Sequence, residues 1–413
     1  VPLPYAALVG MFALVVWMEK RGELRAVDDR ALFFDEVLGF FVLMNLGWVG
    51  FEAVINGPTA GIRTFIYFVV PPLLAFFIPR YATASDDRIV GRIAAFAAVI
   101  VSGELLYERW VNLFLLQPAA FQERNFAYVA ALGSGRELQQ LLDPGYRAPG
   151  LMEHLHATGT FIGVGALLWF FSTLERVSLG RILGLLVCCF ALVVSGARTA
   201  LLSTVVGAVA AVGIHAATGG QGRGLVRVLV AGSVLLGFML TLGLMYEPLR
   251  HIYLPLLTGT TASGSFLFDV VPTEVGIWLG TVEKVPVSLL FGLGPGSESW
   301  RNELGASSDD FFVVDLLARY GVVGAAAFYG LLVIYLREML AALVSERTAK
   351  QRDDRLALLA CFGVCTLLFL TTLHSGALVR KGVYPWLFVA LGIGRRRFPG
   401  VFGPAVAPRR YGT

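Results

Sequence analysis

The sequence has little charge for its length. Of its 413 residues, 15% are Asp, Glu, Lys or Arg, whereas soluble globular domains carry about 25%. In contrast, 56% of the residues are hydrophobic, and the mean hydropathy is +0.72. This composition excludes an ordinary soluble domain and predicts a membrane-embedded protein. We therefore expect membrane lipids around the chain and no nucleic-acid partner.

Residues typical of metal and nucleotide sites are also scarce. The five histidines have no His-Glu-x-x-His spacing, and His154-x-His156 is a weak metal signal. No Walker loop is present, so a bound phosphate is not expected to come from cytosolic ATP. We expect no metal and no other cofactor. The four cysteines lie in two apolar runs and favour a packing role over a disulfide or a zinc site: Cys188, Cys189, Cys361 and Cys365.

Long apolar runs dominate what is present. A helix of about 20 apolar residues crosses a hydrocarbon core of about 30 Å, and lipid cannot satisfy the edge of an open sheet. The sequence therefore predicts an all-α polytopic membrane protein with about 11 transmembrane helices (10 to 12), as one transmembrane domain over residues 1–413. The first run has no small-residue cleavage site before it and is expected to be a span, not a signal peptide. The runs are 2–18, 34–55, 62–79, 91–116, 157–174, 180–196, 199–217, 226–246, 310–336, 355–373 and 382–395.

The distribution of basic residues predicts the orientation of the chain. If the loop after the first span is cytoplasmic, most of the 33 basic residues fall on the inner side. The N-terminus is then outside and the C-terminus inside. Two long segments, 117–156 and 247–308, become outer loops, and loops of this length are usually functional. Within the second loop an apolar patch, 275–291, contains charges and a proline, which favours an interfacial segment over a span.

One arginine interrupts a long apolar region: CCFALVVSGARTALLSTVVGAVAAV contains Arg198. In the predicted orientation, Arg198 lies at the outer membrane boundary. Its plain alternative role is contact with lipid head groups. Other ionisable residues are predicted at the same level: Arg147, Glu153, His154, His156, Arg250, His251, Glu274, Glu298, Arg301, Asp309, Asp310, His374, Arg380 and Lys381, with Glu104, Glu108 and Arg109 in the outer part of the fourth span.

The arginines of this set predict a site for an anionic, phosphorylated ligand at the outer leaflet. A guanidinium group binds phosphate oxygens through two parallel hydrogen bonds, and several of these arginines lie on the side that normally lacks them. For Glu104, the alternative to a functional role is a structural one, in which it forms an ion pair with Arg109 or Arg198. Arg319 lies about 15 Å into its span and is predicted to pair with Asp315 four residues earlier.

Four stretches, in this order, resemble the O-antigen polymerase/O-antigen ligase superfamily of bacterial polysaccharide assembly. The resemblance covers roughly residues 90–395. Asp310 occupies the position where ligases of the family have a histidine, and Phe311 stands where an asparagine is usual. Ser308-Asp309-Asp310 is closer to the Ser-Asp of many polymerases. The stretches are Arg147-Ala-Pro-Gly150 with His154, His156 and Gly159; Ser195-Gly-Ala-Arg198-Thr199; Trp278 with Phe291-Gly-Leu-Gly-Pro-Gly296; and Asp310 to Gly321-Val-Val-Gly324.

The resemblance implies a GT-C-like glycosyltransferase architecture and a metal-independent transferase in the bacterial inner (cytoplasmic) membrane, with its active site on the periplasmic side. Members of the family act on glycans linked through pyrophosphate to undecaprenol. Both the glycan donor and the acceptor are then lipid-linked, and a flippase and a chain-length regulator are possible partners. A second family arginine, usually just before the tryptophan, is absent here, where Thr273 and Glu274 occur.

The roles that the resemblance implies fall into three sets. Asp310 has an alternative role as a cap of the following helix, where an acid is favoured. For pyrophosphate binding we expect Arg198 and Arg147, with Arg250, Arg301 and Arg380 as further donors. For the catalytic base we expect Asp310, with Glu153, Glu274, His374 and His154 as alternatives. For the acceptor and its loop we expect His154, His156, Asp309 and Trp278.

Three functions remain open at the level of the sequence. The first is a polymerase of lipid-linked repeat units for O-antigen, capsule or exopolysaccharide. The second is a ligase that transfers the finished glycan to lipid A core, or an oligosaccharyltransferase that transfers it to protein. The third is a transporter of an anionic lipid or solute. A transporter needs charged residues through the depth of the membrane, whereas here they gather near the outer boundary.

Overall fold

A computed structural model describes residues 29–82, 84–111, 155–217, 271–295, 312–344, 352–372 and 383–397, with the single positions 237, 241 and 245. Within these ranges all regular structure is helical. The helices are α1 (Asp29–Ile55), α2 (Pro58–Thr64), α3 (Val70–Tyr81), α4 (Ala84–Val111), α5 (Leu155–Glu175), α6 (Leu179–Ser195), α7 (Arg198–Ala217), α8 (Val271–Lys284), α9 (Ser288–Phe291), α10 (Phe312–Val344), α11 (Arg352–Thr372) and α12 (Tyr384–Arg397).

Several of these helices are long and apolar enough to cross a membrane, as predicted. Five meet this criterion: Phe34–Ile55, Pro58–Tyr81, Arg88–Tyr107, His156–Glu175 and Val313–Leu340. Three apolar helices are shorter: Leu179–Ser195, Arg198–Ile214 and Leu359–Thr372. The predicted runs 2–18 and most of 226–246 lie outside the described residues. The fold is therefore that of an α-helical membrane protein, and the total of 11 spans stays a prediction.

The span Pro58–Tyr81 contains a π-helical turn, Phe65–Val69, between α2 and α3. Pro71 and Pro72 follow it after a single residue, Val70. A proline has no amide hydrogen, and its ring clashes with the carbonyl group four residues earlier. The wider π turn accommodates these two residues without ending the helical path.

The chain divides into two compact units. The first contains residues 1–88, 271–365 and 372–413, and the second contains 89–270 and 366–371. The prediction of a single transmembrane domain over 1–413 stays a prediction. The predicted outer loops are only partly described: 117–156 is described only in its last two residues, whereas 247–308 includes α8 and α9.

Aromatic rings form the core of the first unit. The Phe41 ring of α1 lies 5.4 Å from the ring of Tyr320 and 6.0 Å from that of Phe328, both in α10. On α12, the Phe388 ring is 6.5 Å from Phe41. Burial of such rings excludes lipid from the contact and adds aromatic packing energy of about 0.5–1.5 kcal/mol per pair.

Three helices of the first unit meet at a largely buried charge cluster. Asp35 of α1 accepts hydrogen bonds from Arg80 of α3, at 3.1 Å, and from Arg395 of α12, at 2.6 Å. The side chains of Arg80 and Arg395 are 9% and 4% exposed. Both guanidinium groups also donate to carbonyls of α3, namely Phe76 and Ala75. A single carboxylate therefore joins α1 to two other helices.

Small residues allow close packing in the second unit. A methyl group at Gly165 of α5 would lie 2.1 Å from Cβ of Ala98 in α4, and one at Gly184 of α6 would lie 2.6 Å from the Trp169 ring of α5. The Trp169 indole donates a hydrogen bond of 2.9 Å to the Ala95 carbonyl of α4. Such close approach is typical of membrane helices, which associate through van der Waals packing.

Candidate functional site

The turn before Arg198 is held in place by its own side chains. Helix α6 ends at Ser195, and Gly196 adopts a left-handed conformation with φ 69°, which favours glycine. The Ser195 hydroxyl donates to the Leu192 carbonyl at 2.7 Å and accepts from the Ala197 amide at 3.1 Å. The Arg198 amide donates to the Gly196 carbonyl at 2.9 Å. Arg198 thereby becomes the first residue of α7.

The Arg198 side chain has no ion-pair partner among the described residues. It is partly exposed. Glu104, one of the predicted pairing partners, is buried in α4. Helix N-termini attract anions because their amide hydrogens and the helix dipole present positive charge. The guanidinium group and the start of α7 therefore both favour an anion.

The first turn of α5 packs directly against this turn. A methyl group at Gly159 would lie 2.5 Å from Cβ of Ala197 and 3.6 Å from the Ser195 hydroxyl. One turn earlier, His156 is half-buried, and its carbonyl accepts a hydrogen bond of 2.7 Å from the Thr160 hydroxyl. The structure thus brings together the described parts of two stretches that resemble the superfamily.

Because no space is left at Gly159, we expect Gly159→Ala to displace the turn that carries Arg198. Overpacking of this kind costs about 1–3 kcal/mol, so the melting temperature in detergent should fall. A matched control is Gly213→Ala in α7, where nothing lies within 4 Å of an added methyl group. Equal melting temperatures for the two variants would contradict this packing.

In the first unit, a glycine loop pairs with an opened turn of α10. We define the glycine loop as Gly292–Pro295, which follows α9. The Leu293 amide donates to the Ala318 carbonyl at 2.7 Å, and the Gly294 amide donates to the Arg319 carbonyl at 2.9 Å. The loop therefore adds a short segment of backbone pairing to the side of α10.

Two glycines with positive φ make this pairing possible. Gly292 has φ 74°, and Gly321 interrupts α10 with φ 63°. A methyl group at Gly292 would lie 2.3 Å from the Arg319 carbonyl, and one at Gly321 would lie 2.3 Å from the Leu290 carbonyl. Only glycine fits both the conformation and the contact at these two positions.

The predicted pair of Asp315 and Arg319 is confirmed. Arg319 Nε lies 2.8 Å and 2.7 Å from the two carboxylate oxygens of Asp315, and both residues are buried. The same guanidinium group donates from Nη1 to the Pro295 carbonyl at 2.9 Å. The pair therefore connects α10 with the last residue of the glycine loop.

Most of the other predicted site residues lie outside the part of the chain that the structure describes. Trp278 lies half-buried in α8, and this helix of 14 residues is shorter than a span. Glu274 belongs to the same helix, but its side chain is not described. The roles predicted for these residues stay predictions. The predicted residues outside the described part are Arg147, Glu153, His154, Arg250, Arg301, Asp309, Asp310, His374 and Arg380.

Two residues of α1, of which one contacts the glycine loop, were not predicted from the sequence. A methyl group at Gly294 would lie 2.7 Å from the Trp48 ring. Glu52, one turn further on, is 1% exposed, and its Oε2 accepts a hydrogen bond of 2.8 Å from Asn56. A buried acid in a membrane helix is a functional candidate. The sequence did contain the signal for Glu52, because an acidic residue inside the apolar run 34–55 is unusual.

Comparison with known proteins leaves the family open. No protein-family model matches the chain, and no curated protein matches it. Among the described residues, no group of three His, Cys, Asp or Glu side chains could hold a metal ion. The fold defines the protein as an α-helical membrane protein.

Proposed function

We propose that the protein is a metal-independent glycosyltransferase that polymerises undecaprenyl-pyrophosphate-linked oligosaccharide repeats at the periplasmic face of the bacterial inner membrane. One observation carries the proposal: a partly exposed guanidinium at the start of α7, with no ion pair among the described side chains. It belongs to Arg198 and lies where an anion is favoured. The packing of Gly159 on Ala197 further supports a joint role for α5 and α7.

The reaction needs positive charge at the leaving group. A hydroxyl oxygen of the acceptor forms a bond to the anomeric carbon of the donor, and the bond from that carbon to the pyrophosphate oxygen breaks. The bonding electrons leave with undecaprenyl pyrophosphate, and the hydroxyl proton passes to a carboxylate base. Fixed guanidinium groups stabilise the charge that develops on the pyrophosphate in the transition state. Arg198 supplies one of them, and Arg147 is the proposed second.

The acidic residues before α10 favour a polymerase over a ligase. Ser308-Asp309-Asp310 resembles the Ser-Asp of many polymerases, whereas the ligase histidine is missing. The growing chain is then the donor, and a single lipid-linked repeat is the acceptor. In the cell, a flippase supplies the repeats, and a chain-length regulator is a further expected partner.

The proposal is tested with the full-length protein in proteoliposomes. The substrate is the lipid-linked repeat extracted from a host strain that lacks the gene, with and without EDTA. We expect a ladder of glycans of increasing length on a gel, unchanged by the chelator. Movement of the lipid-linked repeat across the vesicle membrane without any new glycosidic bond would instead identify a transporter.

Deletion of the gene in the native host distinguishes a polymerase from a ligase. Without a polymerase, single repeats cap the lipid A core, or capsule is lost. Without a ligase, long polymer accumulates on the lipid carrier. The second outcome would contradict the polymerase assignment and support the transfer of a finished glycan.

A further inference from the structure

The backbone amides of the glycine loop are already used within the protein. The Gly292 amide donates to the Ser288 carbonyl at 2.9 Å. The Leu293 and Gly294 amides donate to the two α10 carbonyls at 2.7 Å and 2.9 Å. Pro295 has no amide hydrogen. A loop that binds phosphate needs several amide hydrogens directed at its ligand, and this loop has none left among these four residues.

The Arg319 side chain is also occupied. Its Nε donates to both oxygens of Asp315, and its Nη1 donates to the Pro295 carbonyl. The residue is 7% exposed. A charge that is buried and neutralised in this way is poorly placed to bind a pyrophosphate, in contrast to the partly exposed Arg198.

The opened turn of α10 explains why the loop binds there. In an unbroken helix, the carbonyls of Ala318 and Arg319 would accept hydrogen bonds from the amides four residues later. Next to the non-helical Gly321, these two carbonyls accept hydrogen bonds from the amides of the glycine loop. The side chains of Asp315 and Arg319 then hold the loop from the same helix.

We infer that Asp315 and Arg319 are positioning residues, which hold the glycine loop against α10 in the arrangement that glycosyl transfer requires, and that the loop itself does not bind phosphate. A role of the loop in transfer rests on the proposed function. The glycines are needed for close backbone contact, and the ion pair fixes the contact in one arrangement.

The test compares Arg319→Gln, Asp315→Asn and Arg319→Lys with Arg337→Gln, an exposed arginine further along α10. Hydrogen exchange is measured on the full-length protein in nanodiscs. We expect exchange at Leu293 and Gly294 to rise about 10-fold or more in the first two variants, because local opening becomes easier. Lysine keeps one charged contact but cannot form all three hydrogen bonds, so its effect should be intermediate. Arg337→Gln should match the wild type.

Activity provides the second readout. In the lipid-linked polymerisation assay, Arg319→Gln should lower kcat by about 10- to 100-fold, because misplaced groups near a reaction lose rate steeply. KM for the lipid-linked repeat should stay within about twofold, since a positioning residue does not touch the phosphate. If glutamine prevents folding, Arg319→Lys serves as the test variant.

The possible outcomes separate this inference from the proposed function. Unchanged exchange in the folded variants overturns the inference even if the wild type makes polymer. A raised KM with unchanged kcat and unchanged exchange also overturns it, because Arg319 would then bind substrate. If exchange rises in the variants but the wild-type protein makes no polymer, Asp315 and Arg319 do hold the glycine loop, and only the proposed function is wrong.

Discussion

Arg198→Ala should lower the rate of glycosyl transfer by about 100- to 1,000-fold, as expected when one donor to a developing anion is removed. The melting temperature should stay close to that of the wild type, because the guanidinium group forms no ion pair among the described side chains. Its backbone amide, which bonds to Gly196, is kept in the variant. The measurements are the polymerisation rate in proteoliposomes and thermal unfolding in detergent.

The matched control is Arg176→Ala, an exposed arginine just beyond the last residue of α5. We expect this control to retain the wild-type rate. Arg198→Lys should recover only part of the activity, since an ammonium group cannot bind two phosphate oxygens in the planar arrangement of a guanidinium. Full activity in Arg198→Ala would remove the basis of the proposed mechanism.

Asp35→Ala is expected to give the largest loss of stability. It leaves the part-buried Arg80 and the buried Arg395 without the carboxylate that they share. Removing one partner of a buried ion pair costs about 3–5 kcal/mol, because the remaining charge stays desolvated and unpaired. We expect a fall in melting temperature of roughly 10 °C, measured in the same detergent as the wild type.

Glu36→Ala is the control for this effect, since Glu36 is the next residue of α1 and is exposed. Its melting temperature should change little, as surface charges contribute at most about 1 kcal/mol. A second test replaces all three charges with apolar residues of similar volume, which should restore part of the stability. If Asp35→Ala unfolds at the same temperature as Glu36→Ala, the cluster does not stabilise the contact of these helices.

These two predictions concern arginines with opposite roles. Arg395 is buried and paired with a carboxylate from another helix, which makes it structural. Arg198 is partly exposed at a helix start, which makes it suitable for a ligand. Residue type alone does not distinguish them. Burial and ion pairing distinguish them, because a guanidinium that is buried and already paired with a carboxylate has few free hydrogen-bond donors for a phosphate.

Sequence analysis was most successful where the relevant contacts are local. The apolar runs predicted the five helices that can cross a membrane, because each run contains the whole signal for its own helix. The pair of Asp315 and Arg319 was predicted from spacing, since residues four apart face each other on a helix. The turn at Ser195–Arg198 was found because it interrupts an apolar region.

The contacts between these segments are long-range, and only the tertiary structure decided them. Asp35 and Arg395 are 360 residues apart in the sequence. Neither the placement of Gly159 on Ala197 nor the pairing of the glycine loop with α10 follows from periodicity. Hydropathy and helical spacing predict whether a segment forms a helix that can lie in lipid. Which helices become neighbours depends instead on how their small residues fit together and on buried charge. The sequence alone thus determined which segments are helical and apolar, and packing decided which of their glycines and arginines meet.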